Sequence, residues 1–198
     1  MSPIPQEDPL EWFELWMDEA LASTEPEPTA MSLATVDASG QPTVRIVLLK
    51  QVDRKGFVFY TNLESAKAEQ LSACPKAGLC WLWKHVGRQV RVDGDVEPLS
   101  EAEADAYFAS RPRGSQIGAW ASKQSRPLDD RQTLVERVEH FEQKFADGPV
   151  RRPEFWSGFR VVPSMIEFWQ LGDHRLHDRW KFVRDGDEWE WTRQRLYP

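Results

Sequence analysis

The chain has 198 residues, 40% of them hydrophobic and 29% charged, with a formal net charge of −7 and a pI near 5.2. That length suits one domain with a real core, and the acidic balance argues against a general nucleic-acid or anionic-membrane surface. No apolar run is long enough to span a bilayer, the opening stretch lacks the order of a signal peptide, and Cys74 and Cys80 fit neither a redox pair nor a zinc knuckle, so a cytoplasmic protein with two reduced, packing cysteines is expected.

Residues 1–29 read as a helix and a linker. Asp8 followed by Pro9 marks a helix start, and Leu10, Phe13, Trp16, Met17 and Ala20 recur at helical spacing before the tract S-T-E-P-E-P-T. From Ala30 the period changes: A-M-S-L-A-T-V, the turn D-A-S-G-Q-P and T-V-R-I-V-L-L-K predict strand, turn and strand, with a third strand from Phe57. S-A-K-A-E-Q-L-S-A-C is a short helix stopped by Pro75, and G-L-C-W-L-W-K and R-Q-V-R-V-D-G-D-V are two strands around H-V-G. Ser100 with Glu103 forms a capping box for a helix ending near Arg111-Pro112. A second amphipathic helix runs from Asp129 to Phe145, with Leu134, Val138, Phe141 and Phe145 on its buried stripe. The last third returns to strands: F-R-V-V-P, M-I-E-F-W-Q, W-K-F-V-R and W-E-W-T-R, the last two joined by a turn at Asp185-Gly186. Mostly antiparallel strands with flanking helices predict a β-barrel-like α+β domain over residues 1–198, with no internal repeat and no second domain.

Several chemistries are unsupported. The sequence contains no G-x-G-x-x-G after a strand, no G-x-x-x-x-G-K-[ST] and no G-x-S-x-G. His174 and His177 would point to opposite faces of a strand, so no metal site is expected. What remains is a set of anion anchors. Arg45 and Lys50 bracket an apolar strand, Lys67 lies in the first turn of a helix, and Arg111, Ser115, Lys123 and Ser125 fall on one predicted loop. Arg175, His177 and Arg179 alternate, so an extended segment places all three on one face, away from Leu176 and Asp178. Such a face is either a solvated edge strand or a seat for an anion, and the anchors together suggest more than one anionic group. Arg45 and Lys50 are five apart, which sends them to opposite faces unless the strand ends or bulges before Lys50, or unless they reach different ligands around an edge.

The motifs R-I-V-L-L-K at 45–50, F-Y-T-N at 59–62, S-R-P-R-G-S-Q-I-G-A-W-A-S-K-Q-S at 110–125, F-W-x-G-F-R at 155–160 and E-F-W-Q-L-G-D-H-R-L-H-D-R at 167–179, with a final R-L-x-P, closely resemble pyridoxine/pyridoxamine 5'-phosphate oxidase. The likeness runs in order from about Phe13 to Pro198. It implies an FMN-binding split β-barrel homodimer with the flavin at the subunit interface. It also implies oxidation of pyridoxine 5'-phosphate or pyridoxamine 5'-phosphate to pyridoxal 5'-phosphate by oxygen, with hydrogen peroxide as product, in vitamin B6 metabolism.

By that resemblance Arg45, Lys50, Tyr60, Thr61, Lys67, Gln89, Gln124, Ser125, Trp169 and Arg179 match FMN contacts, and Lys50, Tyr107, Arg111, Ser115, Arg175 and His177 match substrate contacts. Arg175 and His177 stand where the family's catalytic side chains face the pyridine ring. The chain departs from the family at Ala66, where an arginine beside Lys67 is common, and in lacking a basic, aromatic arm ahead of Asp8. Two other functions compete: an FMN oxidase of the phenazine-pathway type, against which Arg111, Arg175 and His177 argue, and a non-catalytic carrier of flavin or pyridoxal 5'-phosphate.

Overall fold

The computed structural model describes residues 7–184 and 190–198. The expected Asp185-Gly186 turn and the first six residues of the opening stretch lie outside the described residues.

Helix α1 (Pro9–Ala22) starts where Asp8 accepts a hydrogen bond from the Leu10 amide at 2.8 Å, with Pro9 supplying the pre-set φ of a first helical residue. Its apolar stripe is the centre of the core. Phe13 is fully buried against Phe57 and Trp81, ring centroids 4.9 Å away in each case, and Trp12 lies 4.0 Å from Phe168.

The strands are β1 (Ala30–Val36), β2 (Pro42–Leu48), β3 (Gln51–Asp53), β4 (Gly56–Asn62), β5 (Lys76–Trp83), β6 (Arg88–Pro98), β7 (Trp156–Gln170), β8 (Asp178–Arg184) and β9 (Trp191–Leu196). They form one antiparallel sheet in the order β2-β1-β5-β6-β7-β4-β3, with β8 on β7 and β9 on β8. Strand β7 organises the sheet. One edge pairs with β6 along Phe159–Gln170, and the other takes β4 along Trp156–Val161 and β8 along Met165–Gln170, so the sheet forks there. The curled sheet is a split β-barrel, with the aromatic core inside it and helices α1, α2 (Ala66–Ala73), α3 (Glu101–Ser110), α4 (Arg113–Ala121) and α5 (Arg131–Lys144) around it.

Three features differ from the sequence reading. The strands expected around Pro163 are one fifteen-residue strand, because the register shifts between Asp93 and Gly94 of β6 and Pro163 sits at that irregularity, where a missing N–H is tolerated. A Cβ on Gly94 would stand 2.2 Å from the Val162 carbonyl oxygen, so only glycine allows the two backbones to approach this closely. The loop expected after Arg111 holds α4, which buries Gln116, Ile117 and Ala121. Finally, the Leu134, Val138, Phe141 and Phe145 stripe of α5 is only half-buried, because the helix rests on α4 rather than inside the core. Among the described residues no helix is long and apolar enough to cross a membrane, and no cluster of histidine, cysteine and acidic residues could hold a metal.

Candidate active site

Strands β2 and β4, the first turn of α2, helices α3 and α4 and the segment after α4 enclose a cleft of about 810 Å³. It gathers Arg45, Lys50, Tyr60, Thr61, Lys67, Tyr107, Arg111, Ser115, Gln124 and Ser125 from the sequence-predicted set, while Lys123 does not line it. Arg45 and Lys50 reach the same cleft because β2 stops at Leu48: the Leu49 amide turns to the Thr29 carbonyl and the Lys50 amide to that of Val58. The strand therefore ends before Lys50, which removes the opposite-face conflict.

Charge is the cleft's defining property. Arg45, Lys50, Lys67 and Arg111 line it, and no carboxylate does among the described residues. The Lys67 ammonium is buried, donating to the hydroxyls of Thr61 and Ser65 at 3.1 Å each, and burial followed by the charge of Arg45 holds its pKa below the ordinary lysine range. Ser65 stands at the α2 N-cap without a side-chain capping bond; its carbonyl accepts from the Ala68 and Glu69 amides, and the amides of Ala66 and Lys67 stay open. Arg45 donates to Thr35, Thr43, Gln70 and the Leu33 carbonyl, all neutral acceptors. Gln124 Oε1 accepts from the Thr61 hydroxyl and the Asn62 amide at 3.3 Å each, which ties the segment after α4 to the end of β4.

On the opposite wall Arg111 is half-buried at the α3 C-cap, and burial lowers its pKa against the opposing influence of Tyr107. Tyr60 keeps its phenolic proton, because burial first and then the charge of Glu103 raise its pKa. Helix α3 is locked in place through Glu103. That residue completes the capping box with Ser100 and accepts at 2.9 Å from the buried Arg160, which also grips Asp53 at 2.6 and 2.7 Å.

The remaining expected residues form a second cluster at the far end of β7. Gln89, Trp169 and Arg179 are register neighbours across β6, β7 and β8, and the His177 ring lies 4.5 Å from that of Trp169. The His177 Nδ1 accepts from the Gly172 amide at 3.2 Å, which leaves the proton on Nε2. The expected common face of Arg175, His177 and Arg179 is not formed. His174 and Arg175 take positive φ values of 54° and 64° in a single 3₁₀ turn, and β8 begins only at Asp178, so alternation cannot apply across them. Nor is this a solvated edge: β8 lies between β7 and β9, and Arg179 donates through Nε and Nη2 to the buried Glu167 at 2.9 and 2.7 Å.

Sequence reading missed Trp156, whose indole lines the first cleft, and Glu167, which holds Arg179. Both lie inside motifs quoted above, but their partners are distant in sequence.

The outer face of the sheet carries a cross-strand row of Leu82, Gln89, Trp169 and Arg179. On β2, one strand beyond β1, Val44 and Ile46 are 69% and 65% exposed, and Leu82 of β5 is 62% exposed, an apolar surface on the same sheet as both clusters.

A curled antiparallel sheet with a cationic cleft at its rim defines the class, a split β-barrel with an anion-binding cleft. Residues 17–145 match the family model described as "Pyridoxamine 5'-phosphate oxidase", and residues 156–198 match the "Pyridoxine 5'-phosphate oxidase C-terminal dimerisation region", which supports a homodimer. The chain belongs to the pyridoxamine 5'-phosphate oxidase family. It is 54% identical over 190 residues to the pyridoxine/pyridoxamine 5'-phosphate oxidase of Brucella anthropi, covering 96% of this chain and 94% of that one. With its namesake in Gluconobacter oxydans the identity is 53% over the full length of both. Among solved structures, PhzG from Burkholderia lata 383, bound to tetrahydrophenazine-1-carboxylic acid, superposes with a TM-score of 0.92 at 29% identity, covering 98% of this chain and 94% of that one. An FMN-binding, pyridoxamine 5'-phosphate oxidase-related protein from Nostoc punctiforme shares the fold, with a TM-score of 0.77 at 18% identity and full coverage of both chains.

Proposed function

We propose that the protein is a cytoplasmic, FMN-dependent oxidase that converts pyridoxine 5'-phosphate, or pyridoxamine 5'-phosphate with uptake of water and release of ammonia, to pyridoxal 5'-phosphate, with oxygen as acceptor and hydrogen peroxide as product. The observation that carries this reading is the cleft itself: Arg45, Lys50, Lys67 and Arg111 with no carboxylate among the described residues, in a chain of net charge −7. The donor set fits FMN, because Lys67, Arg45 and the open first turn of α2 offer a cationic seat to one phosphate monoester.

In this reading Arg45, Lys67, Thr61, Tyr60, Gln124 and Ser125 hold the cofactor, and Lys50 reaches both cofactor and substrate. Tyr107, Arg111 and Ser115 supply a phenol, a guanidinium fork and a hydroxyl to the substrate phosphate. FMN, when bound, would supply the hydride acceptor for C4' of the substrate and the route for those electrons to oxygen. The chain's task is placement. Gln89, Trp169 and Arg179 complete the cofactor side. Arg175 covers the pyridine, and His177 presents its Nε2 proton to the ring's 3-oxygen.

These groups sit away from the first cleft in one copy, so a second copy of the homodimer delivers them across the apolar outer face. A phenazine-type ring oxidase is the nearest other reading, given the likeness to PhzG. The higher identity to proteins named as pyridoxine/pyridoxamine 5'-phosphate oxidases and the phosphate-sized group of cations favour the phosphorylated vitamer. Anaerobic titration of the purified holoenzyme tests the proposal: pyridoxine 5'-phosphate bleaches the flavin bands, and oxygen restores them. Flavin that stays oxidised under excess substrate refutes the oxidase and leaves a carrier.

A further inference from the structure

The first cleft contains an arginine held without a counter-ion. Arg111 has its guanidinium carbon 4.6 Å from the centre of the Trp156 ring and 5.6 Å from that of Phe108. Among the described residues no carboxylate pairs with it, and its Nη1, shut off from solvent, has no hydrogen-bond partner. Arg160 shows the contrast: deeper in the protein than Arg111, it spends its donors on Asp53, Glu97 and Glu103. A buried donor left unpaired is costly, and it persists where something else fixes the side chain.

Trp156 supplies that fixation. A guanidinium lying on an indole face is held by the ring's quadrupole while its N–H groups, which lie in its own plane, stay available. A carboxylate partner would hold it equally well but would consume those donors and cancel the charge. The same indole lies within 6° of parallel to Tyr60 at 5.4 Å and to Tyr107 at 6.2 Å, and the two tyrosine rings stack on each other at 3.9 Å. Trp156 is itself fixed, buried edge-on against Phe108 at the first residue of β7.

We propose that Trp156 is a positioning residue for substrate phosphate: it holds Arg111, and through the ring group Tyr107, in the orientation that receives a phosphate monoester. This rests on the proposed function and deepens it by adding a residue that need not touch the substrate.

The test is a double-mutant cycle on flavin-saturated holoenzyme, read by oxygen consumption with pyridoxine 5'-phosphate. Trp156→Leu is expected to raise KM by about three- to thirtyfold, the span of a partly desolvated cation–π contact, with kcat and flavin content unchanged. Arg111→Ala raises KM by itself, and adding Trp156→Leu to it produces a clearly smaller further rise than in the wild type, the part carried by Tyr107, because the indole has lost the main group it positions. Trp156→Phe keeps a ring face and gives an intermediate KM. It carries the same cycle if the leucine variant does not fold. Additive effects on KM, or a fall in kcat at unchanged KM, overturn the proposal and leave Trp156 as a core filler. The cycle is also read by binding of pyridoxal 5'-phosphate, which needs no turnover. Coupled binding losses in an enzyme that oxidises nothing overturn the oxidase reading and keep this one, whereas a wild-type protein that does not bind the phosphate overturns both.

Discussion

Replacing Lys67 with methionine should weaken cofactor binding and leave the empty protein no less stable, two effects of opposite sign from one substitution. Lys67 is 8% exposed, its ammonium bonded among the described residues only to the neutral oxygens of Thr61 and Ser65, and it stands near a second cation, Arg45. In the empty protein it is a desolvated charge without a counter-ion, so a methionine of similar length removes a penalty along with two modest hydrogen bonds. In the proposed complex it donates to the FMN phosphate, a charge-assisted contact that contributes about 1.5 to 3 kcal/mol. FMN affinity should therefore fall roughly ten- to a hundredfold. The pH dependence has a fixed sign. A lysine whose pKa is held down by burial and by Arg45 loses its proton below the ordinary lysine range, so wild-type affinity should decline on the alkaline side before a free lysine would titrate, and the methionine variant should lack that limb. Fluorescence titration of apoprotein with FMN across pH, beside thermal melts of the apoprotein, reads both effects, and Ala66→Arg should tighten binding in the same titration. An unchanged dissociation constant in Lys67→Met, or an apoprotein destabilised as much as the complex, would refute the reasoning.

Two further substitutions probe the scaffold. Arg160→Leu should cost about 2 to 3 kcal/mol, at or below the low end of the range for stranding a wholly buried charge, because the carboxylates it leaves are partly exposed. For Asp53, burial alone would raise the pKa, but the bond and charge of Arg160 together with the Lys55 and Gly56 amides outweigh it. In Glu103 the Ser100 bonds come first and Arg160 adds to them. Both carboxyls are held low, so their stabilisation is complete above the ordinary carboxylate range and is lost as pH falls through the lowered values. Urea melts should show a flatter acid limb in the variant, and an identical acid limb would detach Arg160 from this role. Leu82→Glu places a charge on the exposed apolar face and should yield monomers in light scattering, with oxidase activity lost, whereas an intact dimer would move the interface elsewhere.

The sequence announces its elements where local chemistry is decisive. Asp8-Pro9 and the Ser100–Glu103 box are self-contained signals, and α1 and α3 begin where they place them. Helix α4 was hidden because R-G-S-Q-I-G-A-W-A has two glycines of poor helix propensity and no capping side chain, and burial of Ile117 and Ala121 overrides that weakness. The alternation of Arg175, His177 and Arg179 misled because periodicity presumes a backbone conformation, and two successive positive φ values break it. The cleft was legible as a set of anion-binding residue types, but their grouping depends on pairings such as Thr61 with Gln124, sixty-three positions apart. The Arg179–Glu167 pair reads the same way: only the β7–β8 register shows that the basic residue has a buried acidic neighbour.

Strand β7 carries Trp156 at one end and Trp169 near the other, on the order of 40 Å apart along an extended chain. If each catalytic centre takes its cleft from one copy and its second cluster from the other, injuries to the two ends are injuries to different partners. A copy damaged at Arg111 paired with a copy damaged at Arg179 then holds one centre bearing both lesions and one bearing neither. Two inactive gene products expressed together and mixing at random restore about a quarter of the normal centres, although neither forms a working one alone. Inheritance of defects in such a protein is thus a property of the pair of alleles and of the ends of β7 they strike, rather than of either allele by itself.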